Sequence, residues 1–150
     1  MAYAYITVTL IKGTGALSIV GTDFDTRLRQ QTEAVSAAVD HFADRTFQPY
    51  DGTRFYSGDG GTLLQVDDIV SVGTLAEDDQ MDGTFDVVWG ANDYLTQPYN
   101  ADPTSEWGRP ITSLQVSPKS NGTQDAFLSG AKRYRLSGTF GYVSILRDAG

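Results

Sequence analysis

The sequence predicts an α+β protein in which an N-terminal helical part precedes an antiparallel β-rich body. Three observations carry that expectation. Residues from about 23 to 44 form the one stretch with a convincing helical apolar period. Beyond Pro49, short runs rich in β-branched and aromatic residues alternate with turns of glycine and aspartate. The 150-residue length suits one ordinary domain. We read it as a single domain with a helical part over 1–50, a β-rich part over 51–142 holding a long loop at 90–110, and a tail at 143–150.

In order along the chain, Ile6 to Ile11 reads as a strand-like run, and Thr22 and Asp23 as N-caps of the helix. Within the helix, Phe24, Leu28, Val35, Val39 and Phe42 fall at spacings of four, seven, four and three, and Ala34 and Ala38 widen the stripe. Arg27, Arg29, Gln30, Glu33 and Asp40 lie mainly off it, so the stripe is expected to face a core and the charges to face solvent or another subunit. Candidate strands are Thr53–Tyr56, Leu63–Val66, Ile69–Leu75, Phe85–Trp89, Ile111–Val116 and Arg133–Ser137, with turns at Ser57–Gly61, Glu77–Gly83 and Ser120–Gly122. Alternation places Phe85, Val87 and Trp89 on one face, and Tyr134 and Leu136 opposite Arg133 and Arg135. Between Gly90 and Pro110 no strand or helix pattern is visible, yet Tyr94, Tyr99 and Trp107 are there; a loop this long reads as a candidate partner-contact arm.

Composition narrows the function classes. Hydrophobic residues at 40% and charged ones at 20% describe a folded chain. With no cysteine and a single histidine, His41, disulfides, thiolate metal sites, a cysteine nucleophile and a multi-histidine metal centre are excluded. The run Ala2–Ile11 falls short of the roughly 20 residues of a membrane span and has no basic front, so no membrane association is expected. The net charge of −8 is uneven: residues 51–110 carry two basic and twelve acidic groups, whereas residues 111–150 carry five basic and two acidic. Such an acidic middle does not suit the phosphate contacts of a nucleic-acid binder. Catalytic and cofactor patterns also fail. A dinucleotide fingerprint begun by Gly13 and Gly15 meets Ser18, and Gly58, Gly60 and Gly61 are followed by no Gly-Lys-Ser/Thr. The calcium-loop opening of Asp78, Gln80, Asp82 and Gly83 meets Trp89 where its glutamate belongs. No enzyme and no cofactor are expected.

The order of parts carries a resemblance. The helix Asp25–His41 has small residues at Ala34, Ser36, Ala37 and Ala38, and is followed by Arg45, Thr46 and Phe47, an Asp-Asp-Ile step at Asp67 to Ile69, and a closing Gly138, Thr139, Phe140, Gly141 and Tyr142. Over roughly residues 20–142 this resembles the head–tail adaptor (connector) proteins of long-tailed bacteriophages, Gly-Thr-Phe-Gly-Tyr being the most specific motif. The resemblance implies a non-enzymatic structural subunit with a small helical part and a β-rich part. It also implies a homo-oligomer, commonly a dodecameric ring, assembled on a portal protein in the virion neck with a stopper or tail protein below. Such a protein is made in the host cytoplasm, and DNA passes through its ring without specific binding. The alternatives are another neck or tail-completion protein such as a stopper, and a small β-rich carbohydrate-binding module using Tyr94, Tyr99 and Trp107.

Charge then nominates surfaces. A closed ring needs two complementary faces on every subunit. Arg133 and Arg135 are the candidate basic half of the subunit interface, and Asp67 and Asp68 or the turn Glu77–Asp82 the acidic half. Glu77, Asp78, Asp79 and Asp82 are also the candidate acidic channel or partner surface, which would repel the phosphates of passing DNA.

Overall fold

The computed structural model describes residues 5–13, 20–105, 108–118 and 122–142. The tail from 143 onward, Trp107 and most of the Ser120–Gly122 turn lie outside the described residues. The chain divides into two compact units, one built on the residues up to Arg45 and one running from Thr46. An N-terminal helix followed by a six-strand antiparallel sheet makes the protein α+β, as the sequence predicts.

In the first unit α1 spans Val8–Gly13 and α2 spans Asp25–Ala43. The strand-like run thus becomes one short helix, nucleated where the Thr7 Oγ1 accepts the Leu10 N–H at 3.1 Å. Neither Thr22 nor Asp23 caps α2. Phe24 holds the N-cap position with no side-chain hydrogen bond, and the Lys12 ammonium binds the Asp25 carboxylate at 2.7 Å and the Gly21 carbonyl. The C-terminus closes as a Schellman turn. Asp44 takes a left-handed conformation (φ 49°), its N–H reaches the His41 carbonyl at 3.4 Å, and the Arg45 N–H reaches Asp40 O at 3.2 Å.

The buried face of α2 is not the apolar stripe. Thr32 and Ser36 are its buried residues, whereas Phe24, Val35, Val39 and Phe42 are exposed, Phe42 at 94%. Segment 5–13 explains the inversion. The Tyr5 N–H donates to the Ser36 hydroxyl at 2.9 Å and the Tyr5 phenol donates to Asp40, so the chain lies against the face of Thr32, Ser36 and Asp40. On an α-helix that face is about a quarter turn from the stripe.

The second unit is one antiparallel sheet: β1 (Tyr50–Gly58), β2 (Leu63–Glu77), β3 (Val87–Trp89), β4 (Tyr94–Gln97), β5 (Ile111–Val116) and β6 (Gly130–Phe140). The strand order is β1-β6-β2-β5-β4, with β3 added to β2. The two sequence runs Leu63–Val66 and Ile69–Leu75 are one strand. Its first part pairs with β5 and its second with β6, and Ile69 faces both Ile111 and Phe140. Register shifts at Gln65/Ile69, Ile69/Ser71 and Val72/Thr74 bend β2, so one strand serves two partners. Gly138 opposes Val72 within this bent stretch, where a Cβ would meet the Ser71 carbonyl at 2.3 Å.

Inside the bend lies the core of Leu64, Ile69, Leu75, Leu114, Leu136 and Phe140 with an aromatic triad. Phe127 stacks parallel on Trp89 at 4.6 Å, and Tyr134 meets both rings edge-on at 5.3 and 5.9 Å. Phe127 belongs to no strand. It is held because its N–H donates to Gly61 O at 2.7 Å and its carbonyl accepts the Gly60 N–H at 2.9 Å. The Tyr134 hydroxyl accepts the Leu128 N–H at 2.5 Å, and burial raises its pKa well above the ordinary phenol value.

Candidate functional site

The charged residues that the sequence nominates do not form one surface. Alternation places Arg133 beside Arg135 on an outward face, but the left-handed Lys132 (φ 52°) and the register shift between Tyr56 and Gly58 turn Arg133 inward. Its Nε lies 3.6 Å from the Glu77 Oε1, and their side chains are 10% and 3% exposed. The remaining donors of Arg133 reach Ser129 O at 3.0 Å and Asp79 O at 2.7 Å, while Glu77 Oε2 accepts the Trp89 indole N–H at 3.0 Å. Arg133 and Glu77 are buried partners within one chain, so neither is placed at a subunit rim or on an open acidic surface.

Asp78 is also inside. Its two carboxylate oxygens accept the N–H groups of Asp82 at 3.1 Å and Gly83 at 2.8 Å, so it organises the turn that follows β2. Of the acidic quartet only Asp79 and Asp82 carry carboxylates toward the outside, half-buried and exposed respectively. The Thr84 N–H donates to Asp82 at 2.8 Å and holds that carboxyl below its usual pKa.

Asp67 lies in a surface cluster of its own chain. One oxygen accepts both Arg54 Nη1 at 2.7 Å and the Tyr56 hydroxyl at 2.8 Å, and Arg54 lies over the rings of Phe140 (5.4 Å) and Tyr50 (5.8 Å). Partial burial, followed by the bond to Asp67, raises the Tyr56 phenol far above its ordinary value. The neighbouring Asp68 is half-buried, and its carbonyl accepts the Gly141 N–H at 2.9 Å. Arg135 is half-buried, its guanidinium 5.0 Å from the centre of the Phe85 ring.

Nor is 90–110 a single free loop. It contains β4, paired with β5 from Tyr94↔Val116 to Gln97↔Ser113. Asp93 sets this up. Its carboxylate accepts the Gly90 N–H at 2.7 Å and the N–H and hydroxyl of Thr123 at 2.7 and 3.0 Å, and these bonds hold it below the usual carboxylate range. The Tyr94 ring packs partly buried against the core, and burial raises its phenol pKa. Tyr99 is exposed. Its hydroxyl donates to Gln115 Oε1 at 2.9 Å beside Gln97 Nε2 at 2.6 Å, at the edge of a groove of about 300 Å³ shared with Leu95 and Gln124. Tyr94 and Tyr99 therefore do not form one aromatic platform, and Trp107 lies outside the described residues.

Sequence reasoning missed a second groove of about 300 Å³, where Phe55 of β1 and Phe85 meet Met81 and Lys132. The sequence placed Phe55 in the candidate strand Thr53–Tyr56 without assigning it a face, and nothing in it marked the left-handed Met81 (φ 59°) and Lys132 (φ 52°). Among the described residues no three His, Asp or Glu side chains gather as a metal site. Compared with family models, with curated proteins and with solved structures, the chain has no match.

Proposed function

We propose that the chain is a structural head–tail connector subunit, forming a ring beneath a portal and continuing the DNA channel toward a tail. The observation that supports this reading is the order of parts. A helix over Asp25–Ala43 is followed by an antiparallel β-rich unit that ends in Gly-Thr-Phe-Gly-Tyr, and this run has a defined packing. Phe140 enters the core, Gly138 allows the close approach of β2, Gly141 takes φ 129°, and Tyr142 packs on Phe47 at 5.5 Å. The run thus ties the end of β6 to the chain entering β1.

The role is architectural, and the relevant surface groups are Arg135, Asp79 and Asp82. Co-expression with the portal protein encoded in the same genome, followed by electron microscopy, tests it. A ring of added density on the tail-facing side of the portal is the expected result, and absence of association overturns it. Binding to a tail-side ring but not to the portal would replace it with the stopper reading.

A further inference from the structure

We propose that the groove beside Tyr99 is a binding site for a neutral saccharide, taking one pyranose ring against the tyrosine. The sheet fixes its walls before any ligand arrives. Gln115 of β5 stands in register between Leu63 of β2 and Leu95 of β4, and its chain neighbours Leu114 and Val116 are buried, so alternation turns the Gln115 side chain to the opposite face of the sheet. The Ser117 N–H donates to Asp93 O at 2.9 Å, and the Asp93 carboxylate is itself clasped by Gly90 and Thr123.

Hydrogen-bonding capacity is left over at two positions. Gln115 Oε1 accepts both the Tyr99 hydroxyl at 2.9 Å and Gln97 Nε2 at 2.6 Å, which fills its acceptor sites and fixes the amide. Gln115 lines the groove, and its Nε2 donors have no partner among the described residues. Ser117 lines it too. That residue is 4% exposed, yet its hydroxyl bonds to nothing among the described residues. Buried hydroxyls are normally paired, so one left unpaired in a groove wall marks a group that a ligand satisfies.

The chemistry of the lining selects the occupant. Its space of about 300 Å³ suits a small molecule or one unit of a chain. Tyr99 is 65% and Leu95 37% exposed, so ring and aliphatic surface lie beside the polar groups. An apolar ligand would leave the Ser117 hydroxyl and the Gln115 amide unsatisfied at a cost. An anion would meet the exposed carboxylate of Asp125, and no lysine or arginine is among the described lining residues. A pyranose answers both constraints: its C–H face packs on an aromatic ring, and its hydroxyls donate to a carboxylate and accept from an amide or a serine. The site goes beyond the connector reading and does not rest on it, so loss of portal association and loss of sugar binding are separate results.

The test is amide chemical-shift mapping on the full chain with the methyl glycosides of glucose, galactose, mannose and N-acetylglucosamine. Sorbitol is the control, since it carries similar hydroxyls but no ring to stack. Saturable shifts confined to the amides around Tyr99, Gln115, Ser117 and Gln124 are expected with at least one glycoside, and sorbitol should bind about fivefold more weakly or less. Ser117→Ala deletes a hydroxyl with no internal partner, so it should weaken binding about fivefold while leaving the melting temperature unchanged. Tyr99→Ala removes an exposed ring and should abolish the shifts while the core amides keep their positions. No shifts with any of the four glycosides at millimolar concentration, shifts centred elsewhere, equal binding of sorbitol, or full binding by Ser117→Ala would each overturn the proposal.

Discussion

The Arg133 guanidinium faces the Glu77 carboxylate across 3.6 Å in the interior of the β unit, with the Trp89 indole bonded to the other oxygen of the same carboxylate. The distance is that of an ion pair and not of a hydrogen bond, and among the described residues neither Arg133 Nε nor Glu77 Oε1 has a hydrogen-bond partner. A buried pair of this kind adds little net stability, because desolvation of both charges offsets their attraction. Its effect is orientation: Glu77 on β2, Trp89 on β3 and Arg133 on β6 are locked in one register.

Removing one member should be far worse than neutralising both. Arg133→Met leaves an unpaired buried carboxylate and is expected to cost about 3–5 kcal/mol. Arg133→Met combined with Glu77→Gln keeps an acceptor for the Trp89 indole and should recover most of that loss. Urea unfolding followed by tryptophan fluorescence measures both. Equal destabilisation by the single and double variants would show that the charges are not coupled.

Much of the β unit was legible because alternation and burial agree there. Tyr134 and Leu136 face the core as their spacing demands, and Ile111–Val116 is a strand with the predicted bounds. What failed depended on contacts distant in sequence. Nothing near Arg133 announces that Lys132 turns left-handed, and Tyr94–Gln97 becomes a strand because Asp93 is clasped by Thr123, thirty residues away. The apolar stripe of α2 reads as a core face in the sequence because period reports amphipathicity but not which surface a neighbour covers.

That inversion on α2 can be measured. Phe42→Ser should change stability by less than about 0.5 kcal/mol, since the ring is 94% exposed. Ser36→Leu should cost about 1–3 kcal/mol by overpacking the site where the Tyr5 N–H docks. Thermal melts followed by far-ultraviolet circular dichroism would show the order. A larger loss at Phe42 would mean that the apolar stripe is the buried one.

Asp93 predicts an acid-sensitive clasp. Its hydrogen bonds put its folded pKa below the unfolded value, so their contribution is fully present above the unfolded pKa and disappears as pH falls through the folded one. The ordinary value is 3.8, so the contribution is intact at pH 7 and lost only below about pH 4. Asp93→Asn turns an amide N–H₂ toward either the Gly90 or the Thr123 donors and should cost about 1–3 kcal/mol at neutral pH. The gap between variant and native protein in urea should shrink toward pH 3; a gap independent of pH would rule the clasp out.

The close approach of β6 to β2 makes Gly138 a sensitive position. A Cβ there would lie 2.3 Å from the Ser71 carbonyl oxygen, a backbone atom that cannot move aside alone. Gly138→Ala should therefore cost about 1–3 kcal/mol or more, whereas Gly13→Ala meets nothing within 4 Å among the described residues and should be neutral or mildly stabilising. Comparable melting temperatures for the two variants would contradict this packing.

The proposed connector role predicts an acidic middle segment that repels DNA, and the structure decides which carboxylates can be used to test it. Glu77 and Asp78 are structural, so lysine at either position should unfold the β unit and report nothing about DNA. Asp82 and Asp86 are exposed and Asp79 is half-buried, so these three can be changed with the core intact. Native protein should bind duplex DNA weakly or undetectably at physiological salt, because a surface rich in carboxylates repels phosphates and releases no counterions. Lysine at all three positions should create non-specific binding whose logarithm falls with the logarithm of salt at a slope approaching about −2.7, from roughly −0.9 per phosphate contacted. Fluorescence anisotropy with a labelled duplex across a salt series provides the slope. Tight binding by the native chain would end the idea of a repulsive channel, and a triple variant that folds but stays inert toward DNA would show that this turn does not face the nucleic acid.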